Sequence, residues 1–290
     1  MRFHVLGSGS AGNASLLTAG GFGVLIDLGF GPRALEQRLG AVGASWEDVH
    51  AAVLTHIHND HWNEHGFRCL GRRRIPLYCH AAHVDSLRGQ SESFQELHDA
   101  DLVRRYRVGT PSHLSNDMTC RPLALKHDGY PTCGFRFEWR GRALAYATDL
   151  GSFNANLVES MSDVDLLALE FNHDEDMERE SGRAAFLVRR VLGARGHLSN
   201  DQAALLLASV LRDSLPGRLQ HLVLLHLSRE CNRPELAQAA ALRVRESNGG
   251  AFHVYAASQH EPGPSIEVQR SELACAMEAT ERQLLLPGWD

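Results

Sequence analysis

Seven consecutive residues, Thr55-His56-Ile57-His58-Asn59-Asp60-His61, restrict what this chain can fold into more than any other stretch. Four of them carry imidazole or carboxylate groups that bind metals or carry protons, spaced more closely than one face of a helix would hold them. The preceding Val49-His50-Ala51-Ala52-Val53-Leu54 reads as a short buried strand. The cluster is therefore expected on the loop leaving a strand's C-terminal end, where α/β proteins gather their chemistry. Imidazoles at i and i+2 of an extended segment point the same way and can close on one ion. Asp60 and His61 come where the chain turns and face a second ion. Two ions about 3.5–4 Å apart suit an in-line or acyl hydrolysis.

Composition sets the outer bounds. With 290 residues the chain can bury a sizeable core, and 43% hydrophobic with 22% charged residues is ordinary for a globular enzyme. No apolar run approaches the roughly 18 residues of a membrane span, and Phe3–Leu6 reads as a strand, so neither a membrane nor secretion is expected. Six cysteines without a C-x-x-C pair point to reduced thiols in a cytoplasm. A net charge of −6 weighs against nucleic-acid binding. Local arginine clusters oppose it: 72–74, then 104, 105 and 107, then 189, 190 and 195.

Along the chain, Arg2–Gly7, Leu16–Leu25 and Gly23–Asp27 read as strands, with a glycine- and serine-rich turn at Gly7–Asn13. Pro32–Leu39 reads as a helix. Between Arg88 and Asp117 the pattern dissolves into polar residues, as in a lid or a long surface excursion. His127 and Asp149 end predicted strands, and Gly134–Trp139 with Arg142–Thr148 make a hairpin. Ser199 with Gln202 is a capping-box pattern before a long apolar helix, whose N–H groups are expected to offer an anion site beside His197. Asn232 is expected to cap the helix that begins near Pro234.

Taken together, Met1–Ala14, Thr55–His61, Leu169–Asp174, Gly196–Asn200 and Leu225–Glu230 resemble the metallo-β-lactamase fold superfamily. Within it they resemble the YycJ/WalJ branch, small bacterial proteins related to tRNase Z and RNase J and regarded as nucleases. The resemblance runs from Met1 to about Val268. It implies an α+β fold, a four-layer αβ/βα sandwich, in one hydrolase domain over residues 1–270. Residues 271–290 fall outside the resemblance and are read as a tail with a short amphipathic helix that serves dimer contacts or no role at all.

The same resemblance assigns the site. One ion is expected on His56, His58 and His127, a second on Asp60, His61 and His226, with Asp149 bridging them. An all-N/O ligand set takes Zn by default and tolerates Mn or Fe. Asp60 and His197 are the expected catalytic residues, Asp60 orienting a metal-bridging hydroxide and His197 serving the leaving oxygen. Ser10, Asn13, Asp27, Glu170, His173 and Ser199 are expected to contact substrate or to support the ligands. The implied activity is that of a dinuclear metal-dependent phosphodiesterase or nuclease acting on DNA or RNA. Thioester or other acyl hydrolysis in the manner of glyoxalase II, a small cyclic phosphodiester substrate, and a metal-stabilised regulatory binding module are the alternatives.

Overall fold

The computed structural model describes residues 1–269. The first half of the chain runs β1 (Arg2–Gly7), β2 (Ala14–Ala19), β3 (Phe22–Ile26), α1 (Pro32–Ala41), β4 (Ala51–Val53), α2 (Glu64–Arg73), β5 (Leu77–His80), α3 (Val84–Gln90), α4 (Glu92–Asp99) and β6 (Val103–Tyr106). The second half runs β7 (Ser112–His113), β8 (Met118–Leu125), β9 (Thr132–Trp139), β10 (Arg142–Ala147), α5 (Ala155–Met161), β11 (Leu166–Glu170), α6 (Glu175–Glu180) and α7 (Ala185–Val191). It closes with α8 (Asn200–Arg212), β12 (His221–Leu225), α9 (Pro234–Ser247), β13 (His253–Ala256) and β14 (Ile266–Glu267).

Two seven-stranded mixed sheets result, ordered β14-β1-β2-β3-β4-β5-β6 and β13-β12-β11-β10-β9-β8-β7. In each, one end is antiparallel and the other is parallel from β3 to β6 or from β10 to β13. Strand alternation makes the layers. Val24 and Ile26 of β3, Leu144 and Tyr146 of β10 and Val223 and Leu225 of β12 enter the core between the sheets. Leu25 and Ala52 face the core under the first half's helices, and Leu167, Leu169, Leu222 and Leu224 face the core under the second half's. The outcome is a four-layer αβ/βα sandwich, as the resemblance implied. Among the described residues no helix is long and apolar enough to cross a membrane.

Three local expectations are corrected. Leu16–Leu25 is not continuous: Gly20 and Gly21, at φ 58° and 81°, turn the chain into the β2–β3 hairpin. The surface excursion expected over 88–117 is confined to residues 107–117, which are mostly exposed; before it α4 and β6 bury Phe94, Leu97, Leu102 and Tyr106. Ser91 caps α4, and Glu64 of α2 accepts from the Ser91 hydroxyl and from Ser93 N, which ties the two helices together. Asn232 is not the cap of α9; Arg233 stands there. The Asn232 amide instead donates to Phe171 O and Asn172 O, satisfying carbonyls beyond the end of β11. The tail at 271–290 lies outside the described residues.

Candidate metal centre

Except for His197, which lies between α7 and α8, the ligand-bearing residues and their carboxylate supports leave the C-terminal ends of strands on one edge of the sandwich. Asp27 follows β3, the histidine loop follows β4, His127 follows β8, Asp149 follows β10, Glu170 ends β11 and His226 follows β12. Asp27, Asp149 and His226 turn out of their strands in the left-handed region, at φ 58°, 58° and 55°. Such a backbone is strained for a residue with a Cβ, and it persists here because surrounding bonds hold it.

Asp27 organises the histidine loop. Its carboxylate, fully buried, accepts from Thr55 N at 2.8 Å, from the Thr55 hydroxyl at 2.9 and 3.0 Å, and from His61 Nδ1 at 2.7 Å. That bond turns the opposite nitrogen of His61 toward the cluster. Asn13 pins the loop from the other side: its N–H donates to Asp60 O, and its amide lies 3.2 Å from Asp60 Oδ2 and 3.1 Å from His61 Nε2. Gly29 permits this packing, since a Cβ there would stand 1.9 Å from Asp60 O.

On the second half, His127 donates Nδ1–H to Gly196 O at 2.8 Å. Glu170, also fully buried, gathers five donors: Asp149 N, Leu150 N, Leu198 N, His197 Nδ1 at 2.9 Å and His226 Nδ1 at 3.1 Å. Burial favours its neutral acid, but His197 and His226 outweigh that and hold its pKa at about 2. His226 is further fixed by Ser8, whose hydroxyl accepts His226 N–H, and by the Asn172 amide on its carbonyl. The pattern is consistent. One ring nitrogen of His61, His127 and His226 is committed to an acceptor, which leaves Nε2 of each aimed inward.

Those inward atoms converge. Ligand atoms of His56, His58 and His127 lie within 4.8 Å of one another, as do those of Asp60, His61 and His226, and those of His56, His61 and Asp149. Another group joins Asp149, Glu170, His197 and His226. His61 Nε2 is 3.2 Å from Asp149 Oδ2 and 3.6 Å from Asp60 Oδ2, while His226 Nε2 is 3.7 Å from Asp60 Oδ2. Ligands about 2.0–2.1 Å from one tetrahedral ion stand about 3.3 Å apart, so these spacings suit atoms sharing an ion. His56 Nε2 and His226 Nε2 are buried without a hydrogen-bond partner, a costly state that a cation relieves. The donor set is therefore fitted to divalent metal.

Without a cation, protons take its place. Burial lowers the pKa of His61, but Asp27 and Asp149 outweigh it and raise it to about 10. His226 is raised well above the usual histidine value against its burial, by Asp149, Asp60 and Glu170. Asp149 is held well below the carboxylate range despite burial by His226 and His61. His56 is pushed well below the histidine range by burial and by His61.

The remaining expected residues divide. His197 stands beside the cluster, its Nδ1 on Glu170 and 3.8 Å from Asp149. His173 is buried next to Asn172 and belongs to none of the ligand groups. Ser199 caps α8 in the expected capping box, and its hydroxyl also donates to Glu175. A carboxylate of the chain itself thus stands where the sequence suggested a bound anion. Ser10 is exposed and makes no hydrogen bond among the described residues; the inward serine of that turn is Ser8. Sequence reasoning also missed Asn172 and Asp128. The carboxylate of Asp128 lies 3.4 Å from His58 Nε2 and pairs with Arg190. Its place beside His127 was the available signal.

A two-sheet sandwich with a histidine- and carboxylate-lined edge defines a metallo-β-lactamase-type protein. The profile of the Beta-lactamase superfamily domain matches residues 23–227, more than half the chain, and the chain belongs to that family. It is 27% identical over 250 residues to exodeoxyribonuclease YycJ of Bacillus anthracis, covering 86% of this chain and 90% of the relative. It is 26% identical over 272 residues to exodeoxyribonuclease WalJ of Streptococcus pneumoniae, covering 92% and 98%. The metallo-β-lactamase fold protein YhfI of Bacillus subtilis superposes with a TM-score of 0.65 at 18% identity, over 90% of this chain and 98% of that one.

Proposed function

We propose that the protein is a dinuclear metal-dependent phosphodiesterase that acts as a nuclease on DNA in the cytoplasm. The observation that carries this is the merging of two ligand sets, His56/His58/His127 and Asp60/His61/His226, around Asp149, with orphaned ring nitrogens facing the shared space. The exodeoxyribonuclease names of relatives matched over nearly their whole length favour a phosphodiester substrate. The cysteines among the described residues are all free, as in a reducing compartment. Residues 1–270 would form the one hydrolase domain.

Metal ions held there, Zn by default with Mn or Fe as alternatives, would lower the pKa of water toward about 7 and offset phosphodiester charge. The chain's own groups do the rest. Asp60, steadied by Asn13, orients the attacking water against phosphorus. Asp149 and Glu170 supply fixed negative charge that keeps His61 and His226 in place. His197, with Nδ1 on Glu170 and Nε2 free of hydrogen bonds among the described residues, is placed to give a proton to the departing oxygen.

The test is a hydrolysis panel on metal-loaded protein: 5′-phosphorylated DNA, RNA, a small cyclic phosphodiester, S-lactoylglutathione and nitrocefin. Cleavage of DNA, lost in Asp60→Asn, is expected. Turnover of S-lactoylglutathione alone would move the protein to the acyl hydrolases.

A further inference from the structure

Helix α7 is held at the rim of the metal centre rather than sunk into the core. Of its seven residues only Val191 is buried, and Phe186 is 69% exposed. Ion pairs fix it at both ends. Before its first turn, Arg183 lies 3.1 Å from Glu178 and 2.8 Å from Glu230. In its last turn, Arg190 engages both carboxylate oxygens of Asp128, with Nε 3.1 Å from Oδ1. Asp128 in turn stands 3.4 Å from His58 Nε2 and 3.6 Å from His127 Nε2. One carboxylate therefore joins the arm to two of the inward-facing rings.

The arm also carries what a nucleic-acid strand needs. Among the described residues, Phe186 and Tyr130 are the exposed large aromatic side chains, Tyr130 at 55%. Both lie on the segments that the Asp128–Arg190 pair joins. Phe186 precedes Arg190 by one helical turn on the same face, and Tyr130 follows Asp128 by two residues. Arg189 and Arg195 are exposed beside them without an acidic partner among the described residues. Exposed rings flanked by guanidinium groups suit a single strand, because a ring stacks on any base while the cations track phosphates. Stacking needs an open base face, which a paired base inside a duplex does not offer.

We propose that α7 captures the unpaired terminal nucleotides of a polynucleotide strand: Phe186 stacks on a base, and Arg190 exchanges Asp128 for a backbone phosphate. This rests on the nuclease reading above and names the form of its substrate. It also reconciles nucleic-acid binding with a net charge of −6, since the positive contacts are confined to the rim.

The test is fluorescence anisotropy of metal-loaded protein with a short, labelled, phosphorothioate-linked DNA strand, beside cleavage of the same sequence with normal linkages. Phe186→Ala should weaken binding roughly tenfold or more, and Phe186→Trp should restore it. Abasic units at the strand's end should cost the wild type the same factor and add nothing to the Phe186→Ala loss. Arg190→Gln should lower the slope of log affinity against log salt by about one. Unchanged binding by Phe186→Ala, or equal wild-type affinity for a blunt duplex and one with an unpaired tail, overturns the proposal. Cleavage with Phe186-independent binding overturns the arm alone. Phe186-dependent binding without cleavage supports the arm and rejects the nuclease.

Discussion

Asp27→Asn separates the two ion sites most cleanly. The substitution keeps the shape of a fully buried side chain and changes only what it accepts. Asn retains one oxygen for Thr55 N–H, at 2.8 Å in the native protein. Its amide then meets His61 Nδ1, which donates to Asp27 at 2.7 Å. Two donors face each other, so His61 must put its proton on Nε2, the atom proposed to hold metal. The loss is one charge-assisted hydrogen bond, about 1.5–3 kcal/mol, or about 10–150-fold in affinity. Loss of an outer carboxylate that orients a ligating imidazole typically costs about 10–100-fold, which agrees. The effect should fall on the ion of Asp60, His61 and His226 and largely spare that of His56, His58 and His127. Chelator competition with metal analysis reads both affinities, and an intermediate chelator concentration should leave the variant with one ion. Two affinities unchanged within twofold, or both lowered equally, would refute the reasoning.

Metal loading should expel protons. His61 at about 10 and His226, also raised, are charged at neutral pH in the metal-free protein, and each must lose its proton to bind through Nε2. Calorimetry at pH 7.5 in buffers of different ionisation enthalpy should report at least one proton released per chain, and a buffer-independent heat would contradict this. The sign for stability follows: a raised pKa gives metal-free protein a contribution fully present below about 6.5 and lost as pH rises through about 10. Denaturant melts in EDTA should lose stability across that window. Glu170→Gln should lower kcat at least tenfold, because its one NH2 group must face either the His197 and His226 donors on one oxygen or the Leu150 and Leu198 N–H groups on the other, and the negative charge is lost; wild-type kcat would remove Glu170 from the account. Gly29→Ala should weaken metal binding by displacing Asp60, since its Cβ would stand 1.9 Å from Asp60 O, and metal titration checks it.

The strands and the residues at their ends were legible because chemistry and fold share a short code. Buried strands read as apolar runs, and a polar residue ending such a run, as Asp149 and His226 do, stands out. What stayed hidden depended on tertiary neighbours. Ser8 and Ser10 are equivalent in a Gly-Ser-Gly-Ser turn, and the pairing irregularity between Val5 and Gly7 that precedes the turn is not written in it. Asn232 looked like a cap, but the carbonyls of Phe171 and Asn172 beyond the end of β11 hold its amide instead. The helix α4 has few apolar residues, and its place depends on Glu64 of another helix. Asp128 gained meaning only when Arg190, far along the chain, met it.

The most direct measurement is anomalous diffraction from crystals of metal-loaded protein. Two peaks about 3.5–4 Å apart are expected, one touching His56, His58 and His127, the other Asp60, His61 and His226, with Asp149 reaching both. A single ion, or ions bound away from Asp149, would contradict the account.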